Sequence, residues 1–136
     1  MSLGTAGQPG SGPGQLNPPH DVITAPAKIG QIFDRIDHKC FVGHTHITGV
    51  FTDEPDFYPP ADLGERYTFH EEEKCIMNPG SVGQPRDRDP RASYAILNED
   101  CVEFVRLEYD IEAVIEKVKS ISDINDFLGV RLLEGR

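Results

Sequence analysis

The stretch Cys40-Phe41-Val42-Gly43-His44-Thr45-His46 decides how this chain is read. Its first four residues form a short apolar run after a helical pattern, which predicts a buried strand. Side chains two apart on extended backbone point to the same side, so His44 and His46 can face one point. Neutral imidazoles presented together suit one divalent metal ion, or two adjacent ones. Gly43 gives the backbone room to turn where the strand ends. Sites in sheet-based α/β folds gather at such strand ends. Surface histidines, or core histidines satisfied by hydrogen bonds, are the alternative reading of the pair.

Upstream, Ile29, Ile32, Phe33 and Ile36 fall at i, i+3, i+4 and i+7, the apolar stripe of one helix face. The pattern predicts a helix from Thr24, its cap, to about Asp37, with Pro26 in the first turn where it loses no hydrogen bond. The first 26 residues hold five Gly and five Pro, with Asp21 the only ionisable side chain besides His20. Such a segment buries too little apolar surface to offset its ordering entropy. Residues 1–24 are therefore expected to be a flexible leader, and residues 25–136 the folded part.

Downstream, residues 53–73 carry eight acids against Arg66 alone. Pro55, Pro59 and Pro60 are expected to break regular structure at the start of this excursion, with Tyr67-Thr68-Phe69 forming a short strand. Two strands follow, Ser93–Leu97 and Cys101–Tyr109, turned at Asn98-Glu99-Asp100. Asp110 caps a helix whose stripe is Ile111, Val114, Ile115 and Val118. A further helix from Ser122 or Asp123 would use Ile124, Phe127, Leu128 and Leu132, pairing with the first as a helical hairpin.

A net charge of −10 over 136 residues argues against broad binding to nucleic acid or an anionic membrane. No run approaches the ~18 apolar residues of a membrane helix. Three cysteines are too few for a disulfide scaffold and read as reduced thiols, which points to the cytoplasm.

A second motif is Asn78-Pro79-Gly80-Ser81-Val82-Gly83-Gln84-Pro85-Arg86. Its glycines and prolines build a tight loop whose backbone N–H groups could bind an anion. Arg86, Arg88 and Arg91 form the basic cluster of an acidic chain, and guanidinium groups match phosphate oxygens in geometry. A plain turn, with the arginines offset by Asp87 and Asp89, is the alternative.

Taken in order, Gly43-His44-Thr45-His46, the Asn78–Arg86 loop and Ser93-Tyr94-Ala95 resemble the C-terminal half of calcineurin-like metallophosphoesterases, in their small bacterial and archaeal phosphodiesterase branch. The resemblance runs from about Ala25 to Arg136. It implies an α/β fold: part of a four-layer α/β/β/α sandwich with a mixed sheet and a C-terminal helical pair. It also implies a site for two divalent metal ions, with His44 a ligand of one and His46 of the other. Manganese is the expected ion, with iron, zinc or nickel as alternatives. Asn78, Gly80 and Ser81 then lie close to the substrate phosphate, with Arg86 beside them. The implied activity is hydrolysis of a small phosphodiester, or phosphomonoester, by a metal-bound hydroxide.

The family's Asp-x-His, Gly-Asp-x-x-Asp and Gly-Asn-His-Asp or Gly-Asn-His-Glu motifs do not occur in this sequence. Pro9 stands where a further family ligand would precede Gly10-Ser11, and proline has no donor atom. His20 reads as a plain loop histidine. The expectation is thus an incomplete site, inactive alone, in a chain that associates with itself or with a missing N-terminal half. A non-catalytic remnant that oligomerises or binds a partner is the competing hypothesis. A structural zinc site built from Cys40, His44, His46 and Cys75 is a third.

Overall fold

The computed structural model describes residues 26–54 and 56–136, with side chains from residue 30 onward. The leader assigned to residues 1–24, His20 included, lies outside the described residues. Helix α1 (Pro26–Phe33) leads into strand β1 (Lys39–Phe41), then β2 (Gly49–Thr52) and β3 (Phe57–Tyr58). One helical turn, α2 (Pro60–Leu63), precedes β4 (Arg66–Thr68) and β5 (Cys75–Asn78). Strands β6 (Ala92–Leu97) and β7 (Cys101–Leu107) form a hairpin, followed by α3 (Ile111–Lys119), α4 (Phe127–Val130) and a 3-10 turn at Arg131–Glu134.

Two sheets result. The first is mixed, in the order β1-β5-β2-β3, with β1 parallel to β5 and the other pairs antiparallel. The second, β4-β7-β6, is antiparallel throughout. Val50, Cys75 and Met77 from the first sheet and Tyr67, Val102 and Phe104 from the second form one buried cluster, so the sheets pack face to face. Each such side chain, removed from water, contributes about 2 kcal/mol. On the other face of the first sheet, Phe33 of α1 closes over Phe51 and Ile76.

This is the expected α/β architecture, with a mixed sheet and a terminal helical pair, but several elements differ from their sequence patterns. Helix α1 ends at Phe33 rather than near Asp37. Ile36 reaches the Phe33 cluster from the following turn, while Ile32 stays exposed. Strand β1 is not buried: it forms the edge of its sheet, and Phe41 is 45% exposed. The buried strand of this region is β2, all four of whose residues are buried.

Pro59 and Pro60 do not abolish regular structure, while Pro55 lies outside the described residues. Pro60 occupies the first turn of α2, where a missing N–H is tolerated. Phe57 pairs opposite Phe51, their ring centroids 4.6 Å apart, and so secures β3 to β2. Tyr67 of β4 turns inward, and its hydroxyl donates to Glu73 Oε2 at 2.6 Å.

Asp110 caps α3 as expected, accepting from the Ala113 N–H at 2.9 Å. The second helix of the pair does not begin at Ser122 or Asp123. Asn125 accepts from the Phe127 N–H at 2.9 Å and starts the helix there, so Phe127 and Leu128 are exposed and Leu132 is buried. Gly129 permits the close approach to α3, since a Cβ there would lie 3.2 Å from Val118 Cβ. No helix of the described residues is long and apolar enough to cross a membrane.

Candidate functional site

The parallel pairing of β1 with β5 brings the two sequence motifs together. Cys40 lies opposite Ile76 and Phe41 opposite Met77, and Val42 N–H extends the ladder to the Met77 carbonyl at 2.9 Å. Both strands therefore release their chains at the same end of the sheet, His44-Thr45-His46 from one and Asn78-Pro79-Gly80-Ser81 from the other. This is the carboxyl end of adjacent parallel strands, where α/β folds place their sites.

Side chains join the two loops directly. Asn78 Nδ2 donates to Thr45 Oγ1 at 2.8 Å, and Asn78 Oδ1 accepts from the Gly80 N–H at 2.9 Å. The amide thus spends both ends on loop geometry, and Asn78 is 2% exposed. Ser81 Oγ accepts from the Gln84 N–H at 3.0 Å, which closes the turn. The Arg86 N–H then bonds the His46 carbonyl at 3.2 Å.

His46 is half-buried, with its backbone in the left-handed region at φ 61°. Such a conformation is uncommon for a residue with a side chain. It directs the ring so that Nδ1 lies 2.9 Å from the Gln84 carbonyl. A carbonyl only accepts, so Nδ1 carries the proton, and in the neutral ring Nε2 keeps its lone pair. A second hydrogen bond that sets the tautomer in this way is what metal-ligating histidines possess. His44 is exposed.

A buried polar network braces the loops from beneath. Arg106 of β7 pairs with Asp87, both side chains being 10% exposed, and donates from Nη2 to Thr48 Oγ1 at 2.9 Å. Asp87 also accepts from the Thr48 N–H at 3.2 Å. Thr48 Oγ1 and Ser93 Oγ are 3.1 Å apart, and Ser93 Oγ donates to the Pro79 carbonyl at 2.8 Å. Sequence reading set Asp87 and Asp89 against the neighbouring arginines. The Asp89 part holds, with Arg91 donating to Asp89 from Nε at 3.0 Å and Nη2 at 2.6 Å, but Asp87 pairs with Arg106 of β7. Arg91 holds the Asp89 carboxyl below the usual carboxylate range, opposed by partial burial. Arg106 was legible in principle: Val102 and Phe104 face inward on β7, so the alternation puts Arg106 on the inner face too.

Among the described residues no group of three or more His, Cys, Asp or Glu side chains is placed to hold a metal ion. Cys40, His44, His46 and Cys75 therefore do not form the zinc site considered above. Cys75 belongs to the core between the sheets, and burial together with the nearby Glu73 pushes its thiol up to about 11.

No family model matches the sequence. Over 125 residues it is 39% identical to an uncharacterized protein of Methanocaldococcus jannaschii, a match that covers 88% of this chain and 49% of that one. The crystal structure of a metallophosphoesterase from Sphaerobacter thermophilus superposes with a TM-score of 0.68 at 31% identity, covering 82% of this chain and 47% of its own. The chain thus has a mixed α/β fold similar to that of a metallophosphoesterase. It spans about half the length of the relatives it matches.

Proposed function

We propose that the chain is the C-terminal half of a metal-dependent phosphoesterase of the small phosphodiesterase branch, and that it hydrolyses a small phosphodiester only when completed by a further segment. One observation carries the reading. Parallel strands deliver the His44-Thr45-His46 and Asn78–Ser81 loops to one point, where the Gln84 carbonyl leaves His46 Nε2 as a free donor. The donor chemistry fits a divalent transition metal, with His46 Nε2 and an imidazole nitrogen of His44 as ligands and the remaining ligands from outside the described residues. The metals, of which we expect two and manganese first, would supply Lewis-acid stabilisation of the charge that develops on phosphorus oxygens.

The chain's own residues would act by placement. Asn78 holds Thr45, Gly80 keeps the loop backbone close to the substrate phosphate, Ser81 shapes the turn, and Arg86 presents a cation at its rim. Exposed Phe41 and Val42, at and just after β1, an edge strand among the described residues, support pairing with the completing segment or with a second copy. Three free thiols fit a reducing, cytoplasmic setting.

The test joins the chain with the segment of the Methanocaldococcus relative that the match leaves out. Hydrolysis of bis(p-nitrophenyl) phosphate should then depend on added Mn²⁺ and disappear in His46→Ala. A folded complex that shows no metal-dependent turnover would reject the assignment. A complex of that kind would instead favour the non-catalytic, partner-binding alternative.

A further inference from the structure

Between the 86–91 loop and the 56–65 segment lies a cavity of about 570 Å³, within the ~300–1,000 Å³ range of small-molecule sites. Ile47, Phe51, Phe57 and Phe104 give it an apolar lining. Four arginines and five carboxylates also line it, and they divide into two sets. Arg106 is paired with Asp87, and Arg91 with Asp89, so these four neutralise one another. The rest are Arg86 and Arg88 from one segment, and Asp56, Asp62 and Glu65 from the other, all exposed.

Among the described residues, none of those three carboxylates and neither of those two guanidiniums forms an ion pair. Arg86 is oriented by its own loop, donating from Nη2 to Gln84 Oε1 at 2.9 Å. The cavity is thus a dipole in charge, cationic along one segment and anionic along the other. A bare anion would meet three uncompensated carboxylates, and a bare amine would leave two guanidiniums unmatched.

We propose that this cavity binds a small zwitterion, an aminoalkyl phosphate, with its phosphate at Arg86 and Arg88 and its ammonium group at Asp56, Asp62 and Glu65. Two guanidinium charges match a doubly charged phosphate with three terminal oxygens better than a carboxylate, which carries one charge and two oxygens. The apolar lining accommodates the alkyl link. His44, His46 and Asn78 do not line the cavity. Arg86 belongs to both proposals, but binding here needs no metal and is tested at Arg88 and Asp62, which the phosphoesterase proposal does not use.

The experiment is calorimetric titration of the chain with O-phosphoethanolamine, and separately with inorganic phosphate and with ethanolamine, without metal. Phosphoethanolamine should bind saturably and at least about tenfold more tightly than either half-ligand, and Arg88→Gln or Asp62→Asn should each weaken it about tenfold. Both side chains are exposed, so unfolding temperatures should stay unchanged. Asp62→Asn remains decisive if Arg88, whose backbone φ is 67°, is needed for folding. No saturable binding, equal affinity for inorganic phosphate, or indifference to the substitution that folds would each overturn the proposal.

Discussion

His46 and Gln84 are joined by a hydrogen bond of 2.9 Å from ring Nδ1 to a backbone carbonyl, across 38 residues of sequence. The contact ties the tautomer of a histidine to the position of a loop. It exists because β1 and β5 run parallel and end together.

The first prediction concerns that tautomer. Long-range ¹H–¹⁵N spectra of the neutral ring should show His46 protonated at Nδ1 and pyridine-like at Nε2. An Nε2–H tautomer would mean that the ring does not offer the donor the metal reading needs.

Arg106 and Asp87 should behave as one unit. Removing one member leaves a charge facing an interior position, so Arg106→Ala is expected to destabilise by about 3 kcal/mol. Replacing both, as in Arg106→Met with Asp87→Leu, should cost clearly less than the two single changes summed, as measured by urea unfolding. Full additivity would show that the pair does not couple.

Gly80→Ala is expected to destabilise by about 2 kcal/mol or more, since its φ is 82° and a Cβ there would lie 2.8 Å from Ser93 Cβ. Thermal unfolding measures this. A neutral result would contradict the close packing of the loop on Thr48 and Ser93.

Acid should loosen the 86–91 loop through Asp89. Its carboxyl is held below the ordinary value of 3.8, chiefly by the Arg91 side chain. The ion pair therefore stabilises the fold above that ordinary value, and the stabilisation is lost as pH falls through the depressed folded value. Asp89→Asn should flatten the acid limb of stability against pH below about pH 4. An unchanged acid limb would remove Asp89 from the account.

Much of the candidate site was visible in the chain itself. The Gly43–His46 and Asn78–Arg86 motifs are contiguous, and local chemistry marks them without any partner. The hairpin around Asn98–Asp100 and the Asp110 cap are equally local, and the structure has both. Strand β2 went unread because Val50 and Phe51 alone carry no period, and only burial between two neighbouring strands makes them a strand. Pro60 misled because the cost of a proline depends on position, and at a helix start it loses nothing.

By itself, then, the sequence determined the chemistry available: two imidazoles two residues apart, a glycine-rich loop and a local cluster of arginines. The tertiary structure decided which groups meet. The β1–β5 register brought the loops to one sheet end, and inward alternation on β7 put Arg106 beneath them. Its pairing with Asp87 left Arg86 and Arg88 without an ion pair among the described residues, on the wall of a cavity that carboxylates of another segment also line. Residue types are local properties, but convergence depends on strand register, and register is set by burial across the whole sheet.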